Sequence, residues 1–295
     1  IMSKDNALTL KRREAIKKKI VYGVIYTLLG LLVIISIIPI YIVLVNTTRD
    51  GASIQLAGIS MLPSKYLVEN YKALIEYADI QSGFFNSLYI AVSVTVLSGY
   101  FSALTAYGFY MYRFKANKAL FSVILIFMMV PAQLSLIGFV SLMIQYGMFN
   151  SHIPLIIPAI ASIGTVFFLR QYASATVNKE IIESARIDGA NELIIFHKIG
   201  IPLMMPGIAT MSIFTFIGSW NNYLSARVLL VSENKFTLPM TIANLRTVGE
   251  QGVFWRQYQG AVYLGFAFSI VPIIIIFIFA SKYLIESIAA GAVKG

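Results

Sequence analysis

The sequence predicts an all-α, polytopic membrane protein with six transmembrane helices. Of its 295 residues, 58% are hydrophobic and only 12% are charged, whereas soluble domains carry roughly 25% charged residues. Long apolar runs recur along the whole chain, and about 20 apolar residues in a helix are enough to cross a bilayer. The chain has no cysteine, which excludes disulfides, thiol catalysis and thiolate metal sites.

Six apolar runs without Asp, Glu, Lys or Arg are the predicted spans. The first is too long for the apolar core of a cleaved signal peptide, so it is expected to stay in the protein. The fourth is short and is expected to extend through Gln171 and Tyr172. The runs imply a basic N-terminal segment at 1–20, a six-helix domain at 21–284 and a C-terminal tail at 285–295. The spans are Val21–Val45, Phe84–Tyr110, Ala119–Ile144, Ile153–Leu169, Ile201–Leu224 and Ala261–Ser281.

The basic residues predict the orientation of the spans. Sixteen of the 23 Lys and Arg residues lie in the N-terminal segment, the second and fourth connections and the C-terminal end. Cytoplasmic loops carry such an excess, so both termini and the segment 179–200 are expected in the cytoplasm. The net charge of +10 is therefore interpreted as a topology signal and not as a nucleic-acid surface. The two long outer connections, 46–83 and 225–260, are expected to form short helices.

The fourth connection has the pattern of a docking element. Ile181, Ile182, Ala185 and Ile187 recur at near-helical spacing and predict a short helix with one apolar face. Gly189 is expected to end this helix in the left-handed conformation. Asn191 is expected to cap a second helical piece, and Pro202 to start the next span. From these residues alone, an amphipathic helix lying on the lipid surface is the favoured interpretation, because amphipathic spacing by itself is a weak signal for docking.

The loop resembles the coupling loop of permease subunits of bacterial ABC importers. The family pattern is Glu-Ala-Ala, two variable residues, Asp-Gly-Ala, then Phe, Ile and Pro. Only Ser184 departs, where Ala is usual, and Ser is nearly as small. The resemblance implies a type I ABC importer (MetI-like) permease fold and a groove on an ATPase that receives the loop. The matching residues are Glu183, Ala185, Asp188, Gly189, Ala190, Phe196, Ile199 and Pro202.

Other segments resemble the carbohydrate branch of these permeases. They are Phe85–Leu88, Ala106–Phe109, Arg113-Phe114, Pro131–Gln133, Phe167–Gln171 and Trp220-Asn221. The ending Ala289–Gly295 is similar to that of the maltose-transporter-type second permease subunit. There the tail reaches the ATPase dimer, which implies contacts from Gly291, Val293, Lys294 and Gly295.

The resemblance also implies the partners and cofactors. It implies a second, homologous permease, two ATPase subunits and an extracytoplasmic sugar-binding protein around this chain, within membrane lipid and without nucleic acid. ATP and magnesium would be bound by the ATPase subunits, because this chain contains no Walker phosphate loop. No cofactor, catalytic residue or metal site is expected in the chain itself. His152 and His197 lie on opposite sides of the predicted membrane and cannot share a site.

Polar residues within or beside the spans are the candidates for a substrate path or gate. Amides offer hydrogen bonds to sugars, and aromatic faces pack on their C–H surfaces, but such residues also hold helices together. An ion-coupled carrier is disfavoured because none of the six apolar runs contains Asp, Glu, Lys or Arg. An intramembrane enzyme lacks converging reactive groups, and a passive channel has no need of a docking loop. The candidates are Asn86, Gln133, Trp220, Asn221 and Asn222.

Overall fold

A computed structural model describes the backbone of residues 4–250 and 254–292, and the side chains of 16–131, 133–247 and 259–283. Within these residues every regular element is a helix, which agrees with the predicted all-α class. The α-helices are α1 Lys4–Asn46, α2 Gly51–Ala57, α3 Leu67–Tyr77, α4 Ile80–Met111, α5 Asn117–Met128, α6 Leu136–Gln145, α7 Ile153–Ile156, α8 Ile163–Thr176, α9 Lys179–Ile187, α10 Glu192–Ile195, α11 Ile201–Trp220, α12 Tyr223–Leu229, α13 Leu238–Glu250 and α14 Phe254–Ala292.

The chain forms two compact units. The first comprises 1–73 and 249–267, and the second comprises 74–248 and 268–295. In the first unit, buried hydrogen bonds from a side-chain amide fix the backbone at the end of α1. The Asn70 amide donates to the carbonyl oxygens of Thr47, at 2.8 Å, and Arg49, at 2.9 Å. Gly260 passes so close that a Cβ there would lie 2.2 Å from the Asn70 amide nitrogen, so only glycine fits.

In the second unit, α4, α8 and α11 pack against one another and form the core. Small residues make this close approach possible: Ala103 and Ala106 on α4 and Ala173 on α8 are each 1% exposed or less. At the α8–α11 contact, the ring of Tyr172 covers Gly207, where an added Cβ would lie 2.6 Å from Tyr172 Cγ. Membrane helices use small residues in this way to bring their backbones together.

Five of the predicted spans are helices long and apolar enough to cross a membrane. They are Ile16–Asn46, Ile80–Met111, Ile153–Thr176, Glu192–Trp220 and Gln259–Tyr283. The extension of the fourth span through Tyr172 is confirmed. The fifth span begins earlier than predicted, at Glu192. It also ends earlier, at Trp220, because Asn221 closes α11 and Asn222 caps α12.

The third predicted span, Ala119–Ile144, is not one continuous helix. It is broken into the pair Asn117–Met128 and Gln133–Gln145, whose axes differ by 86°. Pro131 lies in the break with extended backbone, at φ −60° and ψ 122°. Proline lacks the N–H that a helix needs and disfavours helical backbone in the residue before it. The pair counts as a sixth span only if both halves together cross the membrane.

The long connection after α12 is fixed to the second unit by side chains. Asn150, with φ 55°, accepts hydrogen bonds from the backbone N–H groups of Val231 and Ser232. The Oγ of Ser87 on α4 accepts a hydrogen bond from the N–H of Leu238 at 2.8 Å. The expected short helices are present here as α12 and α13, and between the first two spans as α2 and α3.

Candidate functional site

Helix α9 begins and ends at the residues that cap it. The Asn178 side chain accepts a hydrogen bond from the N–H of Glu180 at 2.9 Å. At the other end, the N–H groups of Ala190 and Gly189 donate to the carbonyls of Ala185 and Arg186. This is the Schellman pattern, which needs a left-handed residue. Gly189 supplies it with φ +81°, so the predicted glycine stop is confirmed.

The second helical piece continues directly into the next span. The Asn191 side chain caps α10 by accepting from the N–H of Ile194 at 2.8 Å, as predicted. A π-helical turn, Phe196–Gly200, then joins α10 to α11 without a break. Pro202 stands at the start of α11, but the span itself begins at Glu192. The prediction that Pro202 starts the span is therefore wrong. A π-turn, which shifts the hydrogen-bond register, accommodates a residue with no N–H.

One face of this loop is built into the core of the second unit. Ile182 on α9 is fully buried, and Ile195 and Phe196 are each 1% exposed. They belong to one apolar cluster with α4, α8 and α11, and the ring of Phe196 lies 5.2 Å from that of Tyr107 on α4. Burying three large side chains contributes several kcal/mol, at about 1.5–3 kcal/mol each. The loop is therefore held firmly to the spans around it.

The opposite face is open to solvent. Ile187 is 86% and Leu193 is 65% exposed, and Glu183 and Asp188 are exposed beside them. The sequence placed Ile181, Ile182, Ala185 and Ile187 on one apolar face, and this is wrong. Ile182 and Ala185, one turn apart, face the core, whereas Ile181 and Ile187 point elsewhere. The loop thus presents apolar and acidic side chains together on a fixed base.

A charged clamp joins the two helical pieces to α4. The Arg186 guanidinium binds both carboxylate oxygens of Glu192, at 2.6 and 3.2 Å. The Tyr112 hydroxyl donates to the same carboxylate. The hydrogen bond to Glu192 raises the pKa of Arg186 further above its usual range. Burial and the bond to Glu192 raise the pKa of Tyr112, so its hydroxyl keeps the donor proton at neutral pH.

Replacing Glu192 with Gln is expected to loosen the loop without unfolding the chain. The Arg186 and Glu192 side chains are 34% and 47% exposed, so solvent screening limits the pair to about 1 kcal/mol. Amide hydrogen exchange across 186–196 should then rise about fivefold. Glu180→Gln, an exposed acid on α9 that takes no part in the clamp, is the control and should exchange like the parent. Equal exchange in both variants would show that the clamp does not order the loop.

Three further contacts tie the loop to α4. The Tyr110 hydroxyl donates to the carbonyl of Val177 at 3.1 Å, and the Lys179 ammonium lies 4.9 Å from the centre of the Tyr110 ring. His197 Nδ1 lies 2.7 Å from the carbonyl of Leu193, which can only accept, so Nδ1 carries the proton. Nε2 of a neutral His197 then accepts from the Tyr100 hydroxyl at 3.2 Å.

The substrate-path candidates fall in different environments. Trp220 is 1% exposed and donates from its indole nitrogen to the carbonyl of Ser269 at 3.1 Å, so it is part of the core. Asn221 is exposed at the end of α11. Asn222 lines a cavity of about 330 Å³ beside the break in the third span. Ser135 and Ser225 add further polar groups to that cavity.

Asn86 and Gln133 lie apart from that cavity's lining. The Asn86 amide donates to the carbonyls of Asn234 and Phe236, both at 3.0 Å, so it fastens the connection between α12 and α13 to α4. Gln133 is exposed in the turn that follows Pro131. Of the five candidates, only Asn222 lines this cavity.

Of the predicted tail contacts, Gly291 lies in α14, which continues to Ala292, well beyond the predicted span end at Ser281. Val293, Lys294 and Gly295 lie outside the described residues.

The clamp of Tyr112, Arg186 and Glu192 was not predicted. Arg186 and Glu192 are six residues apart across a turn, and helical spacing offers no signal for such a pair.

Comparison with known proteins identifies the family. Residues 95–289 match the family of binding-protein-dependent transport system inner membrane components. The chain is 35% identical to the arabinooligosaccharides transport system permease protein AraQ of Halalkalibacterium halodurans, over 88% of this chain and 92% of the relative. It is 30% identical to the sn-glycerol-3-phosphate transport system permease protein UgpE of Salmonella typhi, over 81% and 87%.

The fold is also found in a solved structure. A bacterial ABC transporter involved in the import of the acidic polysaccharide alginate contains a chain that superimposes with a TM-score of 0.75. It shares 24% identity, and the match covers 90% of this chain and 97% of that one. The type I importer fold and the multi-pass location in the inner membrane are therefore confirmed. The chain belongs to the family of inner membrane components of binding-protein-dependent transport systems.

Proposed function

We propose that this chain is the permease subunit of an ATP-driven importer of neutral oligosaccharides, and that its segment 179–200 is the docking site for the ATPase. The observation that carries the proposal is the two-sided construction of that segment. Its buried side, around Ile182 and Phe196, is continuous with the core of three spans. Its open side presents Glu183, Ile187 and Leu193. A loop that only connected two spans would need neither a side built into the core nor an exposed side with apolar and acidic residues.

This construction suits the transmission of motion. ATP, bound with magnesium by two ATPase subunits, closes the ATPase dimer, and the groove that holds the segment moves. Because Ile182 and Phe196 pack on α4, α8 and α11, the spans move with it as a rigid body. The inner gate closes and the outer gate opens. Gly189 supplies the turn between α9 and α10, and Glu183 and Asp188 supply polar contacts to the groove.

The remaining assembly follows from the family and from the charge distribution. A second, homologous permease completes the translocation path, and an extracytoplasmic binding protein delivers the sugar. The excess of Lys and Arg on the predicted cytoplasmic segments supports placing both termini and the docking segment at the ATPase. The C-terminal segment from Gly291 through Val293, Lys294 and Gly295 is proposed as a second ATPase contact.

Neutral oligosaccharides are the proposed substrates. The relative AraQ carries arabinooligosaccharides by name, and the six apolar runs of this chain contain no Lys or Arg that would bind an anion. In the cavity beside the broken span, Asn222 and Ser225 offer hydrogen-bonding groups to sugar hydroxyls. Uptake of labelled arabinooligosaccharides and of sn-glycerol 3-phosphate by the complete importer separates the two chemistries. Uptake of the phosphate ester alone would reject the substrate proposal.

Copurification tests the docking proposal. The tagged chain is extracted from native membranes in mild detergent, and the associated ATPase is measured by its activity. The parent should bring the ATPase with it, and the double variant Ile187→Asp, Leu193→Asp should lose it. Val231→Asp, which places one carboxylate on an apolar residue that is 64% exposed outside this segment, should keep it. Retention of the ATPase by the double variant, or its absence from the parent, would reject the proposal.

A further inference from the structure

The connection between α1 and α3 exposes an uncharged apolar strip. Leu56 is 89% exposed, Ile59 74% and Leu62 76%. No residue from Gly51 to Pro63 carries a charge. An exposed, contiguous apolar surface on a protein generally marks a contact with another protein or with a membrane. Residues 56–62 are called the apolar loop below.

Hydrogen bonds place the apolar loop along the side of the first span. The chain is tied to the end of α1 at two points, one within the loop and one just after it: Arg49 donates to the carbonyl of Gly58 at 2.8 Å, and the hydroxyl of Thr48 accepts from the N–H of Ser64 at 2.8 Å. Between these ties, the Tyr41 hydroxyl donates to the carbonyl of Met61 at 2.8 Å. Tyr41 lies five residues before Asn46, or about 7.5 Å back along the helix axis. The loop therefore dips toward the span.

The surface beside this dip is an exposed, apolar surface of α1. Within the apolar window of the span only 6% of the residues are buried. Ile37, Ile40 and Leu44, close to Tyr41 in sequence, are 55%, 42% and 50% exposed. The apolar loop continues this exposed surface past the end of the helix. Tyrosine is enriched at this level of membrane proteins, where its ring lies among lipid and its hydroxyl among polar groups.

We propose that the apolar loop inserts into the lipid leaflet at the carboxyl end of α1 and anchors the first unit there. Its partner is the bilayer and not another protein. The charged group nearest to it is kept away from the lipid. The Arg49 side chain is 4% exposed, and its guanidinium donates hydrogen bonds to Asn46, Gly58 and Ser53. No charge of the loop itself faces the lipid, and the first charged residue after it is the exposed Lys65.

The absence of cysteine allows a direct test by spin labelling. Leu56→Cys, Ile59→Cys and Leu62→Cys are each labelled with a nitroxide in the complete transporter, reconstituted into phosphatidylcholine and phosphatidylglycerol vesicles. Collision with oxygen, which concentrates in lipid, is compared with collision with a water-soluble nickel chelate. Lys65→Cys is the matched control in the same connection. A complex with the cysteine-free parent chain shows how much label attaches to the other subunits. Each labelled complex is first checked for assembly.

If the loop inserts, the three labels should collide more often with oxygen and less often with the nickel chelate than the label at position 65 does. Labels at 56, 59 and 62 with the nickel access of position 65 would place the loop in water and overturn the proposal. Labels shielded from both reagents would place it against another protein, and this result also overturns the proposal. The inference does not depend on the identity of the substrate or on ATPase docking, so those proposals can fail without affecting it.

Discussion

The Gly189→Asp variant is expected to fold and assemble in the membrane but to import substrate at least about tenfold more slowly, a loss of ~1.4 kcal/mol in effective docking. Gly189 is exposed, and an added Cβ there meets nothing within 4 Å. Its φ of +81° costs an L-residue about 1–2 kcal/mol, and Asp is one of the residues that tolerates this region. The new carboxylate lies beside Asp188 on the proposed docking face, where burial without a partner is costly.

Gly189→Asn is the matched control for this variant. Asparagine has nearly the same size and accepts the left-handed conformation, but it carries no charge. It should import far better than the aspartate variant at equal amounts of subunit in the membrane. ATP hydrolysis and uptake are measured together in vesicles, because loss of coupling lowers uptake for each ATP hydrolysed. Normal uptake by Gly189→Asp at normal expression would remove Gly189 from the coupling surface.

Gly207→Ala is expected to destabilise the second unit strongly, although alanine normally favours a helix. The added methyl carbon would lie 2.6 Å from Cγ and 2.7 Å from Cδ1 of the Tyr172 ring. Both residues lie in the packed core of α8 and α11, so the ring cannot yield without moving a span. Overpacking of this kind costs about 1–3 kcal/mol. The melting temperature of the purified complex and its yield from membranes should both fall.

Gly218→Ala, on the same helix, is the control for that result. An added Cβ at Gly218 meets nothing within 4 Å, so this variant should keep or slightly raise the melting temperature through the helix propensity of alanine. A double variant, Gly207→Ala with Tyr172→Leu, should recover part of the loss because the smaller side chain leaves room. Equal melting temperatures for Gly207→Ala and Gly218→Ala would contradict the packing of Tyr172 on Gly207.

Local sequence signals predicted the parts of the fold that depend on them. The apolar runs located the spans, and Gly189 and Asn191 marked a helix stop and a helix start, because conformational freedom and side-chain capping act within a few residues. The break at Pro131 was not predicted. Ala119–Ile144 contains no charged residue and is apolar on average, and hydropathy does not record whether the backbone can continue through a proline.

The site was predicted less completely than the fold, because its contacts join distant parts of the chain. The residues of the docking segment were found from their pattern, yet the division into a buried and an open face was assigned wrongly. Which face Ile182 occupies is decided by α4, α8 and α11, and the sequence of the segment holds no information about them. The clamp between Tyr112 and Glu192 spans 80 residues. Similarly, Trp220 was a candidate for the substrate path and lies in the core.

Site-specific photo-crosslinking tests the central claim most directly, which is that the open face of 179–200 contacts the ATPase. Since the chain has no cysteine, Ile187→Cys can carry a benzophenone maleimide in native membranes, with Val231→Cys as the control. The account predicts that light joins the ATPase subunit to position 187 and not to position 231. Crosslinks from position 187 to lipid alone, with the ATPase present in the same membranes, would contradict it and leave the segment as a helix on the lipid surface.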